Sequence, residues 1–171
     1  MIKIRHLQPN DLAQTAEIDV SEEGTQTYKL IDGQLQIIEE EWQRPRWDAD
    51  KWQSNLERWA RTLKSDGYLG AFDGQQMVGF AGLRYQLTPT MAELTLLWIN
   101  RAHRHQGVAS KLVQEVFRMC KAAGAETIYV SSTPTIPAVS FYMSQGFRPT
   151  SEPDPYLFEL EPLDIHMTCP L

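Results

Sequence analysis

Arg104-His105-Gln106-Gly107-Val108-Ala109 lies between an apolar run, Leu94 to Ile99, and a helical pattern that covers about Gly107 to Ala123. A strand, a tight turn with a small-residue step and a helix start together form a phosphate-binding geometry. The first turn of a helix leaves several N–H groups without intrahelical partners, and the macrodipole adds partial positive charge there. Gly107 and Ala109 carry almost no side chain, so a diphosphate can approach the backbone closely. The stretch points to a nucleotide-type cofactor.

The flanking elements are read from periodicity. Upstream, Met91 to Asn100 is a strand. Before it, Tyr68 to Phe72, the Asp73-Gly74 turn and Met77 to Arg84 form a hairpin, and Thr88-Pro89-Thr90 turns the chain. Trp52, Leu56, Trp59, Ala60 and Leu63 recur at helical spacing behind Asp48 or Asp50 as cap, giving a helix to about Ser65. Thr27 to Ile31 and Gln34 to Ile38 flank Asp32-Gly33, a strong hairpin signal because a type I′ turn needs positive φ at both central positions. Ser21 to Thr25 reads as a polar loop. Ile2 and Ile4 alternate with Lys3 and Arg5 as a first strand, and a helix runs from Pro9 to about Asp19.

Downstream, Val108, Leu112, Val113, Val116, Phe117 and Cys120 form the helix stripe, closed at Gly124. Thr127 to Val130 is a strand, Pro137 to Gln145 a helix closed by Gly146, and Phe147 to Thr150 and Tyr156 to Leu160 read as closing strands. No internal repeat, low-complexity segment or interdomain linker is evident, so residues 1–171 read as one domain.

Sixteen Lys plus Arg against twenty-two Asp plus Glu give a net charge of -6. That argues against a general nucleic-acid binder, which needs basic surface to displace counterions. It suits a cationic substrate. Cys120 and Cys169 have no spacing motif and read as reduced thiols, not a disulfide or zinc site. The N-terminus lacks an apolar signal segment, and no stretch is long and apolar enough to span a bilayer. The expectation is a cytoplasmic, soluble protein with no membrane partner. His103 and His105 have no third ligand at a sensible spacing, so no metal site is expected.

With Ala138-Val139-Ser140-Phe141-Tyr142-Met143-Ser144-Gln145-Gly146-Phe147 beside the Arg104 loop, the chain resembles the GNAT superfamily of acyl-CoA-dependent acyltransferases. The family's Gln/Arg-x-x-Gly-x-Gly/Ala is met by Arg104, Gly107 and Ala109. Its Asn-x-x-Ala-x-x-Phe-Tyr-x-x-x-Gly-Phe is met by Ala138, Phe141, Tyr142, Gly146 and Phe147. Thr135 departs from the usual asparagine; it keeps a hydroxyl but cannot offer both an amide donor and an acceptor, which implies an altered pantetheine contact.

The resemblance implies an α/β (α+β) fold with a central mixed, largely antiparallel, twisted sheet of about seven strands and helices on both faces. An inserted β-hairpin near residues 27–38 would be added to it. It implies acetyl-CoA as cofactor, its diphosphate on the backbone amides of His105, Gln106, Gly107, Val108, Ala109 and Ser110, with Arg104 adding a charge-assisted contact. The pantetheine arm would lie along Leu97, Trp98 and Ile99, where that strand splays from the Ile128 strand, near Thr135, Ala138 and Phe141. The reaction would be direct attack of a primary amine on the thioester in a ternary complex. Homodimers are common in the family.

Tyr142 suits the general acid, since a phenol with a pKa of roughly 10 is protonated at neutral pH and can donate to the departing sulfur. Glu93, eleven residues before Arg104, suits the base, because a carboxylate in a semi-apolar cleft can titrate near neutrality. An exposed strand-end glutamate is the competing reading. Glu39, Glu40 and Glu41 with Trp42 and Trp47 could edge an acceptor cleft for a cationic amine through ion pairing and cation–π contact. The alternative is a solvated acidic turn whose tryptophans pack on the Trp52–Trp59 helix. The acceptor stays open among small amines, peptide or protein amines, and a CoA-binding sensor without transfer is the reading from another class.

Overall fold

The computed structural model describes residues 1–171. Its main element is a seven-stranded sheet built from β1 (Ile2–His6), β4 (Gly67–Asp73), β5 (Gln76–Thr88), β6 (Met91–Ile99), β7 (Thr127–Ser132), β9 (Ile165–Pro170) and β8 (Arg148–Pro149), in that spatial order. Only β6 and β7 pair parallel; every other neighbour pair is antiparallel. The helices are α1 (Ala49–Thr62), α2 (Val108–Ala122), α3 (Ile136–Ser144) and α4 (Pro155–Leu160). The expected fold class is borne out. No helix is long and apolar enough to cross a membrane.

Two apolar layers cover the sheet. A core of twenty buried residues packs α2 and α3 on one face, through Val108, Leu112, Val113, Val116 and Val139 against Ala81, Leu83, Ala92, Leu94, Ile128 and Val130. A smaller core of eight, with Trp52 and Trp59 of α1 against Phe72, Met77, Phe80 and Leu96, covers the other. The α1 stripe is therefore core, as its spacing indicates, and Asp48 caps the helix by accepting from the Lys51 amide at 2.8 Å.

The Asp32-Gly33 hairpin is present and longer than expected. β2 (Glu22–Ile31) and β3 (Gln34–Arg44) form their own two-stranded sheet, with Asp32 and Gly33 at φ 51° and 77°. Ser21 to Thr25 is thus mostly strand, not loop. Its polarity misleads, because cross-strand pairing supplies the order: Glu22 opposes Arg44 and its carboxylate accepts from that guanidinium at 2.7 Å. Gly24 lets the Trp42 indole lie against the backbone, where a Cβ would come within 2.6 Å of the ring. The hairpin is tied to the main body where the Tyr28 amide donates to the Pro134 carbonyl at 2.6 Å.

Three further expectations are corrected. Pro9–Glu17 is a 3-10 helix, not α, with side chains of its own closing i, i+3 turns: the Thr15 hydroxyl donates to the Leu12 carbonyl. Tyr156 to Leu160 belongs to helix α4, not a strand. The β propensity of Tyr156 and Phe158 is overridden by the Asp154 cap, which accepts from the Leu157 amide at 3.0 Å, and by Pro155 in the first turn. The closing strand is instead β9, which buries Cys169.

Candidate active site

β6 and β7 pair only from Met91–Thr127 to Glu93–Tyr129 and then part. An extra residue at Thr95 reinforces the fork. Leu94 opposes Leu83 and Leu96 opposes Gly82, so Thr95 bulges out of the ladder and turns the strand. A cavity of about 380 Å³ fills the gap. It runs from the start of α2 past the fork to α1 and α4 on the other side of the sheet.

At one end, His105 and Gly107 hold φ of 60° and 80°, and Gly107 is the N-cap of α2. No side chain caps these amides, and a Cβ built on Gly107 meets nothing within 4 Å. The N–H groups of the first turn are thus left to a ligand, in open space and at the positive end of a dipole. These features fit a diphosphate. Arg104 lines the cavity, but its guanidinium is held by the Ser21 carbonyl at 3.0 Å and lies 3.8 Å from Glu22.

Along the arm of the cavity the lining includes Leu97, Trp98, Ile99, His105, Val108, Ala109, Ser110, Thr135, Ala138 and Phe141. Thr135 caps α3 by accepting from the Ala138 amide, so its hydroxyl proton is left for another partner. Gln106 is the exception among the expected contacts. Its side chain turns outward and donates to the Ala102 carbonyl at 2.9 Å.

Tyr142 sits on α3, 8% exposed, edge-on to Phe141 and Phe147, and lines the cavity. Burial, with the Asp164 carboxylate second, pushes its phenol well above the ordinary value, so the proton stays on oxygen. Glu93 stands at the fork itself, 2% exposed, with Oε2 lacking any hydrogen-bond partner. Burial raises its pKa to about 7, opposed by Arg84 and aided by Asp154. It is not an exposed strand-end residue. The other orphaned buried atom, Trp98 Nε1, also belongs to the cavity wall.

Glu40, Glu41, Trp42 and Trp47 are not brought to this cavity. The two glutamates are exposed on β3, a strand paired only with β2. Trp42 donates to the Gln26 carbonyl within the hairpin. Trp47 packs on Trp52 and Trp98 at ring separations of 5.1 and 4.9 Å, the packing alternative named above. Other residues line the far end: Trp59 from α1 and Leu63 at its C-cap, Leu157 and Leu160 from α4, and Glu161 and Asp164 from the turn that follows. Asp164 is raised to about 7, by burial first and by Glu161 second. The legible signal for this wall was Asp154-Pro155, a cap followed by a first-turn proline.

A buried relay holds that wall. The Asp154 amide donates to the Tyr129 hydroxyl at 3.1 Å, and that hydroxyl lies 2.7 Å from His166 Nδ1. His166 Nε2 is 2.9 Å from the Glu161 carbonyl. With Nδ1 accepting from the Tyr129 hydroxyl and Nε2 donating to the Glu161 carbonyl, every member is satisfied. Both ends of α4 are therefore tied to β7 and β9.

A fork beside an uncapped helix start, leading to a buried acid and phenol, defines a class of acyl-transfer site. A family model described as the acetyltransferase (GNAT) family matches residues 29–147. The chain belongs to this family of acetyl-CoA-dependent acetyltransferases. It is 30% identical over 94 residues to N-acetyltransferase 8B of Rattus norvegicus, a match covering 52% of this chain and 42% of that one. N-acetyltransferase 8 of Homo sapiens is 31% identical over 83 residues, covering 46% and 37%. The matched segment thus spans less than half the length of these curated relatives.

Solved structures share the fold over nearly their whole length. Nourseothricin acetyltransferase superimposes with a TM-score of 0.75 at 15% identity, covering 99% of this chain and 98% of that one. A Bacillus anthracis str. Ames protein, provisionally assigned as a streptothricin acetyltransferase and solved with acetyl coenzyme A, gives 0.74 at 17%, covering 100% and 98%. The PaiA N-acetyltransferase of Thermoplasma acidophilum, in complex with coenzyme A, gives 0.64 at 19%, covering 100% and 99%.

Proposed function

We propose that this chain moves an acetyl group from acetyl-CoA to a primary amine of a small molecule, by direct attack in a ternary complex. The observation that carries the reading is one continuous cavity that joins the uncapped α2 start to both Glu93 and Tyr142. The α2 amides around Gly107 would hold the diphosphate, and Leu97 to Ile99 with Thr135, Ala138 and Phe141 the pantetheine arm. When bound, acetyl-CoA supplies the acetyl group as a thioester. Glu93, ionised on the alkaline side of about 7, accepts a proton from the ammonium form of the acceptor and leaves a nucleophilic amine. That amine nitrogen bonds to the acetyl carbon as the carbon–sulfur bond breaks. Tyr142 passes its phenolic proton to the leaving sulfur, the second proton that the nitrogen sheds as it becomes an amide returns through solvent to the Tyr142 phenolate, and Glu93 releases its proton to solvent. The products are an acetamide and free CoA thiol.

A small acceptor is favoured by the enclosure of the far end between α1 and α4. Two of the fold neighbours are named for acetylation of nourseothricin and streptothricin rather than of a protein. The reading also includes one domain over residues 1–171, argued from length, a cytoplasmic site of action, argued from the lack of a signal-like or bilayer-length apolar stretch, and a homodimer, argued from resemblance to the family alone. The test is thiol release from acetyl-CoA across a panel of small amines and amine-bearing peptides, with product masses measured. Acetamide formation on small amines is expected. Tight CoA binding without turnover on any amine would convert the reading to a CoA-binding module, and turnover on peptides alone would move the acceptor to protein amines.

A further inference from the structure

Three carboxylates line the far end of the cavity, Glu93, Asp164 and Glu161. None of them forms an ion pair within the protein. Glu93 adds an independent sign of a missing partner: it is almost fully buried and one of its oxygens is unpaired. Native interiors rarely leave such an atom orphaned unless a ligand completes it. The cation that lines the same region, Arg58, is engaged elsewhere, donating to Asn55 Oδ1 at 3.3 Å and lying over the Trp59 ring.

One amine satisfies one carboxylate. The reacting nitrogen must reach Glu93 and the acetyl group, and it cannot also neutralise Asp164 and Glu161, which come from the turn after α4. These two reinforce one another, since the Glu161 charge adds to burial in raising Asp164. Asp164 also acts on the Tyr142 phenol. Leu157 and Leu160 line the wall with them and offer an aliphatic surface for a methylene spacer.

We infer that the preferred acceptor is a small diamine or polyamine, whose second protonated nitrogen is held by Asp164 and Glu161 while the reacting amine lies at Glu93. This deepens the acetyl-transfer reading and rests on it for the placement of the reacting amine. Glu161, exposed at the rim, and Asp164, further in, form the order in which a dication entering from solvent meets the site. The charge-assisted contacts favour the second nitrogen over a methyl group, which would leave both carboxylates without a partner.

The test uses the CoA-loaded full chain. Calorimetry near pH 8, above the values of about 7 for Glu93 and Asp164, compares n-butylamine with diaminopropane, diaminobutane and diaminopentane. At least one diamine is expected to bind about 10-fold or more tightly than butylamine. In Asp164→Asn, and in Asp164→Asn with Glu161→Gln, that ratio should fall to within about 2-fold. Melting curves and CoA affinity establish that each variant is folded, and the isosteric single variant is read if the double is not. Equal affinity for mono- and diamines, or a diamine preference that survives in the folded variants, overturns the inference. Thiol release measured in parallel separates the two readings. Diamine binding that depends on Asp164 without acetylation sinks acetyl transfer and leaves the subsite standing. Acetylation with no diamine preference sinks the subsite alone.

Discussion

A phenol buried between two aromatic rings, with its oxygen at a cavity wall, does its packing through carbon and keeps its hydroxyl for something else. Tyr142 is in that position, touching Phe141 and Phe147 and forming no hydrogen bond that would be lost on deletion of the oxygen. Tyr142→Phe should therefore keep the melting temperature and the CoA affinity of the parent. Its kcat should fall by about 10–1000-fold, the range for loss of a general acid. Steady-state kinetics beside calorimetry checks this; unchanged kcat would remove Tyr142 from proton delivery. The residue was legible in the sequence because its motif sets it at a fixed place in a short helix. Asp164 was not legible: nothing about Glu161-Pro162-Leu163-Asp164 indicates a carboxyl raised toward neutrality at a cavity wall.

At the scale of elements, α2 is the part whose local chemistry and role coincide. Gly107 adopts φ 80°, which a side chain reaches only with strain of roughly 1–2 kcal/mol. It also begins a turn of unpaired N–H groups. Gly107→Asp should shift the melting temperature by a few degrees, while CoA affinity falls by about 100-fold or more through repulsion of the diphosphate. Retained affinity would contradict the cradle. The hairpin turn at Asp32-Gly33 was equally readable, because positive φ is a property of two residues. α4 was not read correctly. Its aromatic side chains favour a strand when taken alone, and the helix prevails because its cap, its proline and the Tyr129–His166 relay act together.

For the molecule as a whole, two carboxyls, the buried Glu93 and the half-buried Asp164, set the response to pH. Glu93 and Asp164 both titrate near 7 in the fold, against 4.5 and 3.8 when unperturbed. Between about pH 4 and 7 the folded chain therefore holds more protons than the unfolded chain, and stability falls as pH rises through that window. The stabilised carboxylates Asp11, Asp19 and Glu115 act in the opposite direction, and only at more acidic pH. Glu93→Gln removes the buried charge of the two. Its melting temperature should exceed that of the parent at about pH 8 and converge with it at about pH 5. Equal melting temperatures at both values would show that Glu93 is solvated or paired. The proposed reaction would draw on the same property, since a base that costs stability when ionised is poised to take up a proton near neutrality.

What the chain's order of residues determined alone is local: a helix that starts on a glycine after a strand, a two-residue turn, an apolar stripe, a phenol at a set distance from a closing glycine. Each depends on neighbours within a turn or two, so it survives without knowledge of the rest. The fork between β6 and β7, the burial that makes Glu93 titrate near neutrality, the withdrawal of Glu40, Glu41, Trp42 and Trp47 from the cavity, and the arrival of Asp164 beside it were decided by tertiary structure. Desolvation and the absence of a partner are sums over distant segments, and no short stretch contains them.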